Sequence, residues 1–242
     1  MQLKNNTILI TGGASGIGLA MTKKFARLGN TIIITGRNTN KLSAVKAMLP
    51  DVHTIPCDIT QQADIDHLVH TIEQQFPKLN ILINNAGVQY NYELTNEPNA
   101  LQKVEHEINT NLLAPIKLTT LLLPLLEQND NAAIVNVSSA LGLVPKQSAP
   151  VYCGTKAGLH IFTKALRYQL THTKLFEIIP SLVDTDMTKG RGKGKISAEE
   201  LTDEFITAFE KDKYEINIGK VKMLRLLARI SPKLADNILS KG

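Results

Sequence analysis

Short β-branched and aliphatic runs alternate along this chain with longer stretches whose apolar positions recur every three or four residues. Residues 7–11 (TILIT), 31–35, 52–56, 80–84, 133–137, 174–179 and 214–218 read as strands. Between them, 16–28 reads as a helix ended by Gly29, and 40–49 as a helix stopped by Pro50. Ile65, Leu68, Val69, Ile72 and Phe76 fall on one helical face. Longer helices are predicted from about 101 to 127 and from 152 to 170, with a basic helical tail at the end. Strands alternating with helices imply βαβ units, a parallel sheet and helices on both of its faces. Right-handed crossovers then give an α/β doubly wound fold, with its ligand at the carboxyl ends of the strands.

Composition narrows this picture. The 242 residues are 43% hydrophobic, enough for one α/β domain with a full core. No apolar run is long enough to cross a bilayer, and the chain enters its first strand without a signal peptide. Cys57 and Cys153 are too few for a disulfide framework, which points to a reducing cytoplasm. The histidines show no pair at ligand spacing, so no metal is expected. The net charge of +5 belongs to the tail. From residue 220 on, Lys220, Lys222, Arg225, Arg229, Lys233 and Lys241 face one acid, Asp236, while the rest of the chain is balanced. The charge therefore gives no reason to expect nucleic acid. A second cationic feature is 188–195 (TKGRGKGK), which alternates glycine with lysine or arginine and reads as flexible.

Gly12, Gly16 and Gly18 lie between the first strand and the first helix, spaced G-x-x-x-G-x-G. Glycine there lets the backbone turn tightly and approach a pyrophosphate, which then faces the positive end of the helix dipole. The end of the second strand separates NAD from NADP. A carboxylate there would hold a ribose 2′-hydroxyl and repel a phosphate, but the chain has Thr35-Gly36-Arg37-Asn38. With no acid and a guanidinium at hand, NADP(H) is preferred over NAD(H).

Tyr152 and Lys156 stand one helical turn apart, 13 residues after Ser139. Tyrosine has a pKa of about 10 and needs help to exchange a proton near neutral pH. A neighbouring ammonium lowers that pKa by favouring the phenolate. Beside a dinucleotide turn, this pair predicts hydride transfer between a nicotinamide and a carbon bearing oxygen.

In this order and at these distances the residues resemble the short-chain dehydrogenase/reductase family, from residue 5 to about 187. The matches are 11–18, Asp58 after the third strand, Asn84-Asn85-Ala86-Gly87 after the fourth, Asn111, Ser139, Tyr152, Lys156 and Thr185. The resemblance implies a Rossmann-type sheet and a role for each position. Tyr152 would be the general acid/base and Lys156 its positive partner, which also reaches the nicotinamide ribose. Ser139 would hydrogen-bond the substrate oxygen, and Asn111 would hold a water linking Lys156 to solvent. Ser138 is the alternative serine, but the interval to Tyr152 favours Ser139. Gly12, Ser15, Gly16, Ile17 and Gly18 would form the phosphate turn, and Arg37 the 2′-phosphate contact. Asp58 and Ile59 would contact the adenine, Asn85, Ala86 and Gly87 would line the cofactor, and Val183 and Thr185 would meet the carboxamide. Tyr90, Leu141, Val144, Gln147 and Met187 are expected as walls of a mostly apolar substrate site. Cys153 could be a redox switch, but a small buried residue is the preferred reading.

The chain also departs from the family pattern. Pro180-Ser181 replaces the usual Pro-Gly, the loop after Thr185 is short, and the usual C-terminal strand ending in Asp-Gly-Gly is missing. This C-terminal shape is similar to a subgroup of oxidoreductases associated with D-alanylation genes for cell-wall polymers. Residues 1–187 are expected to form the dinucleotide-binding and catalytic core. Residues 188–242 would add a short substrate loop, the last strand and the tail to the same domain. In the tail, Lys222, Arg225, Arg229 and Lys233 share one helical face, and Met223, Leu227, Ile230, Leu234 and Ile238 another, with a break at Ser231-Pro232. The preferred reading is a cover over the substrate cleft; the alternative is contact with a membrane surface. The leading function is an NADPH-dependent carbonyl reductase or alcohol dehydrogenase acting on a small molecule. An NADP(H)-binding redox sensor without turnover is the alternative. A homodimer is expected through the helices at 103–127 and 152–170, because their leucines exceed what one helix side can bury.

Overall fold

The computed structural model describes residues 1–235, so Asp236, Ile238 and Lys241 lie outside the described residues. β1 (Thr7–Thr11), β2 (Thr31–Gly36), β3 (His53–Pro56), β4 (Leu79–Asn84), β5 (Ala133–Val137), β6 (Lys174–Pro180) and β7 (Glu215–Ile218) form one parallel sheet. Its order is β3-β2-β1-β4-β5-β6-β7. Strand order reverses between β1 and β4, and a crevice opens there at the carboxyl ends.

The strands are mostly apolar because both faces are covered. Ile8, Ile10, Ile32, Ile34, Ile81 and Ile83 pack on one side with α1 (Gly16–Arg27) and α2 (Thr39–Met48). The alternating Leu9, Ile33 and Leu82 pack on the other with α3 (Gln62–Gln75). The predicted long helix is instead α4 (Ala100–Ile108), a π-turn (Asn109–Leu113) and α5 (Ala114–Leu126). Leu118 and Leu122 of α5 join the second core. α6 (Pro150–Arg167) packs on β6 and bonds to β5 through Lys156 and Thr163.

α7 (Ala198–Glu210) is absent from the elements predicted by the hydrophobic pattern, although its signals are local. Ser197 and Glu200 make a reciprocal capping box. Leu201, Phe205 and Phe209 recur at helical spacing and are fully buried. Phe205 meets Phe25 of α1 edge-on at 6.2 Å between centroids, and Phe209 meets Phe176 of β6 at 4.6 Å. Each buried ring contributes about 1.5–3 kcal/mol. The chain then passes β7 and enters α8 (Val221–Ile230), and helix resumes at Pro232 after the break at Ser231.

One polar row crosses the second face. Asn84, Asn136, Glu177 and Glu215 are register partners on β4 to β7. Asn84 Nδ2 donates to Asn136 Oδ1 at 2.9 Å, and Asn136 Nδ2 to Thr163 Oγ1 at 2.9 Å. His160 Nδ1 lies 2.8 Å from Glu177 Oε2, and Arg225 pairs with Glu215. His160, Glu177 and Glu215 bring ligand atoms within 4.8 Å of one another, a grouping that the histidine spacing does not reveal. With Arg225 on Glu215, the row reads as a charge-compensated ladder. No helix among the described residues is long and apolar enough to cross a membrane.

Candidate active site

A cavity of about 720 Å³ opens at the carboxyl end of the sheet. Gly12 (φ 65°) and Gly16 (φ 50°) take left-handed conformations in its floor. A Cβ on Gly12 would lie 3.1 Å from Ala86 Cα, so the turn packs directly on the loop after β4. Gly18 differs from the expectation, because it does not line the cavity. Its Cβ would stand 2.3 Å from Gly12 O, so it serves the close approach of α1 to the turn. Ser15, Gly16 and Ile17 place the α1 N-terminus on the cavity, and the Ser15 side chain makes no capping bond. That end of a helix favours an anion. Asn85 Nδ2 donates to Thr11 O at 2.9 Å and fixes the β4 loop against the glycine turn. Thr110 borders the cavity, and its Oγ1 is buried without a protein partner.

Past β2 the lining continues with Arg37, Asn38, Lys41, Asp58 and Ile59. Arg37 Nη1 is 3.0 Å from His106 Nε2 and 3.9 Å from Asp58 Oδ2. Asp58 Oδ1 accepts from Thr60 N at 3.0 Å and Thr60 Oγ1 at 2.8 Å. Lys41 Nζ, held 2.9 Å from Asp186 Oδ2, adds a second cation that the strand-end pattern does not name. Its signal is position, four residues after Arg37 on the first turns of α2. A Cβ on Gly36 would meet nothing within 4 Å, which leaves room beside both cations. Asn85, Ala86, Gly87, Val183 and Thr185 complete this wall.

Ser139, Tyr152 and Lys156 border the same cavity. Ser139 follows β5, while Tyr152 and Lys156 stand one turn apart on α6. Lys156 Nζ donates to Val137 O at 2.8 Å and lies 5.8 Å from the Tyr152 ring centroid. Burial pushes the Tyr152 hydroxyl up to about 12, against the pull of the Ser139 hydroxyl. Burial also brings Lys156 down to about 8, partly offset by Glu177. Loss of solvent thus dominates at the tyrosine, and its pKa is raised where the sequence pattern leads one to expect it lowered. Asn111 does not touch the cavity. Its Oδ1 accepts from Val88 N and its Nδ2 donates to Val88 O, both at 2.8 Å, and Nδ2 reaches Thr155 Oγ1 at 3.3 Å. It sits in the π-turn, a local distortion that often marks a functional position. Cys153 is buried, accepts from Lys146 N at 3.3 Å and has its thiol pKa raised by burial, as suits a packed residue.

At the substrate end, Leu141 and Met187 line the cavity, but Tyr90, Val144 and Gln147 do not. Tyr90 turns away, its hydroxyl 2.7 Å from His106 Nδ1, while Val144 is buried and Gln147 points to solvent. Their places are taken by Gln89, Lys146, Arg191 and Lys193, and by Lys220, Met223, Leu224 and Leu227 at α8. The site is mostly apolar, as expected, but it also carries four cations, Lys146, Arg191, Lys193 and Lys220. Met223, Leu224 and Leu227 of the tail line the cavity, while Met223, Leu226, Ile230 and Leu234 remain largely exposed.

A profile of the short chain dehydrogenase family matches residues 6–195. The chain belongs to the short-chain dehydrogenase family. It is 39% identical over 233 residues to an uncharacterized oxidoreductase, DltE, of Bacillus subtilis (strain 168), covering 93% of this chain and 92% of the relative. A short chain dehydrogenase from Burkholderia cenocepacia J2315 in complex with NADP superposes with a TM-score of 0.87 at 22% identity, over the whole of both chains. One from Sphingobium yanoikuyae in complex with NADPH gives 0.81 at 25% identity, over 96% of each chain.

Within this short-chain dehydrogenase, the Pro180-Ser181 departure has a compensation across the sheet. Gly219 (φ 67°) begins the turn into α8, and a Cβ there would lie 2.3 Å from Ser181 Oγ. Ser181 N donates to Ile218 O at 3.2 Å. Glu107 is a further residue outside the expected set. It is fully buried, accepts from Tyr90 N at 3.0 Å and Tyr92 Oη at 3.4 Å, and has its pKa raised chiefly by burial. Its signal is a helical one, four residues before Asn111, and both residues clamp the loop after β4.

Proposed function

We propose that this short-chain dehydrogenase is an NADP(H)-dependent oxidoreductase acting on a carbonyl or alcohol, with Tyr152 as general acid/base. One observation carries the reading: Ser139, Tyr152 and Lys156 border the same cavity as the glycine turn and the Arg37–Lys41 cations. Ser15, Gly16 and Ile17 would hold the pyrophosphate, and Arg37, Asn38 and Lys41 the 2′-phosphate. Asp58 and Ile59 would flank the adenine, Asn85, Ala86 and Gly87 the middle of the dinucleotide, and Val183 and Thr185 the carboxamide. Bound there, the cofactor supplies or accepts the hydride. Structural neighbours holding NAD as well as NADP or NADPH support a nicotinamide dinucleotide at this site, and the Arg37–Lys41 cations are the ground for the phosphorylated form.

The protein handles the proton. A phenol with a pKa near 12 is protonated at neutral pH. Tyr152 Oη can therefore donate to a substrate oxygen as negative charge develops on it. Ser139 Oγ supplies a second hydrogen bond to that oxygen, worth most where water is excluded. The Lys156 ammonium keeps a positive potential next to the tyrosine and eases phenolate formation. Asn111 fixes Val88 and thereby the wall facing α6.

Fluorescence titration with NADPH, followed by NADPH oxidation over a carbonyl panel, tests the reading. Tyr152→Phe keeps the ring, so NADPH affinity should hold within about twofold while turnover falls by roughly 10²–10⁴. A variant retaining more than a tenth of the wild-type rate removes Tyr152 from the acid role. NADPH binding without turnover of any carbonyl would favour the regulatory alternative.

A further inference from the structure

The glycine–cation loop roofs the substrate end of the cavity. Its base is pinned by the parallel bridge between Val183 and Ile196 and by Asp184 N donating to Ile196 O at 2.8 Å. Lys195 Nζ closes the base on Asp184 Oδ1 at 3.0 Å and Thr188 O at 2.7 Å. Gly192 (φ 58°) brings the loop onto the end of β6, since a Cβ there would lie 2.4 Å from Leu182 Cδ2. Gly194 (φ 71°) lies under Lys220, whose Nζ would be 3.5 Å from an added Cβ. The backbone that alternates glycine with cations therefore puts Arg191 and Lys193 on the cavity while Lys195 is neutralised at the base.

We propose that this roof recognises a carboxylate or phosphate on the substrate, through Arg191 with Lys193 and Lys220, while Leu141, Met187 and the α8 side chains take the apolar remainder. The proposal rests on the reading of Tyr152 as acid/base of a hydride-transfer site. The lining holds two acids, Asp58 and Asp186, and both lie at the dinucleotide end beside Arg37 and Lys41. Lys146, Arg191, Lys193 and Lys220 have no acidic partner within salt-bridge distance among the described residues. Like charges gathered in a cleft repel one another and focus a positive potential into it, which an anionic ligand relieves. Arg191 Nη1 lies 3.5 Å from Asn91 Oδ1, so the side chain spans from the roof to the loop after β4. Arg191 and Tyr152 line the same cavity, so the guanidinium shares the space of the reacting groups. A planar guanidinium there suits two-point binding of a carboxylate or phosphate. In the reduction, the carbonyl carbon takes the hydride, NADPH becomes NADP⁺, the carbonyl oxygen takes the Tyr152 proton, and the anionic group stays unreacted.

The test measures NADPH oxidation with matched pairs: oxo acids against their methyl esters, and hydroxyacetone phosphate against hydroxyacetone. The wild type should favour the anionic member of a pair at least tenfold in kcat/KM, and the arm with the preference identifies carboxylate or phosphate. Arg191→Gln should lower that ratio roughly 10- to 100-fold, and Arg191→Lys should restore part of it. Equal rates for charged and neutral partners would overturn the proposal. So would Arg191→Gln raising the NADPH Kd as much as the KM of the anionic substrate, since Arg191 would then serve the cofactor. If no carbonyl is turned over, calorimetric titration of malonate and inorganic phosphate into protein holding saturating NADPH still reads the roof. Binding lost in Arg191→Gln would uphold the anion site while the hydride reading falls. No binding to the wild type would sink the anion site.

Discussion

Burial moves Tyr152 and Lys156 in opposite directions, and the two shifts set the pH behaviour. Tyr152 stays protonated up to about 12, so over the usual range it is a proton donor. Lys156 is charged below about 8 and loses its proton above it. Reduction needs both protons in place, so its rate should be level at neutral pH and fall above about pH 8 with a single deprotonation. A profile flat to about pH 10 would remove Lys156 from the reaction. At the other end of the cavity, Arg37→Ala and Lys41→Ala should each weaken NADPH roughly tenfold and leave NADH within about twofold. A charge-assisted bond to phosphate contributes about 1.5–3 kcal/mol, and the lower end applies because Arg37 is half exposed. Gly36→Asp has space for its carboxylate and should reverse the preference. Equal losses for both cofactors would refute the 2′-phosphate assignment. The dinucleotide turn and the serine–tyrosine–lysine set were legible because short local spacing defines them. Arg191 and Lys41 were not, because only the fold brings 188–195 and α2 to the same cavity.

At the scale of elements, buried strands were easiest to recognise, since TILIT or AIVNV can only be covered on both faces. The π-turn left no mark in the apolar periodicity because α4 and α5 run on through it. α7 carried its capping box and its aromatic face openly, yet its distance from any motif hid its place on α1. The row from Asn84 to Glu215 is a product of register and no single strand contains it. α8 is the element whose role is most open to test. Val221 is fully buried against Ala140 and Ile179 with Leu224 packed on them, while Met223 and Leu227 only wall the cavity. Met223→Ser with Leu227→Ser therefore keeps the anchor and the Arg225–Glu215 pair and removes the wall. The double variant should fold, bind NADPH normally and show KM raised about tenfold or more toward its best carbonyl. Unchanged kinetics together with loss of flotation on anionic vesicles would instead favour a membrane-surface role for the tail.

For the whole molecule, the leucine surplus around α5 resolves into two populations. Leu118 and Leu122 are fully buried in the second core, which removes them from the expected interface. Leu112, Ile116, Leu123 and Leu125 are half buried, and Leu113 and Leu121 are exposed. The exposed residues continue onto neighbouring helices. Leu101 and Ile108 are seven apart on α4, and Ile161 and Tyr168 seven apart on α6 and its cap. Leu101, Ile161 and Tyr168 are 70, 61 and 87% exposed, more apolar surface than adjacent helices usually leave in water. Packing this face against its own copy would cover both helices by a two-fold operation. The opposite edge of the sheet offers less, since β7 is short and α8 packs beside it. A dimer through α4, α5 and α6 is thus the expected assembly. Sedimentation at micromolar concentration should show twice the 26.6 kDa protomer mass. Leu113→Glu with Ile161→Glu should dissociate it, because charges buried in an apolar interface are strongly unfavourable. A wild type that sediments as one protomer, or a double variant that stays dimeric, would rule this face out.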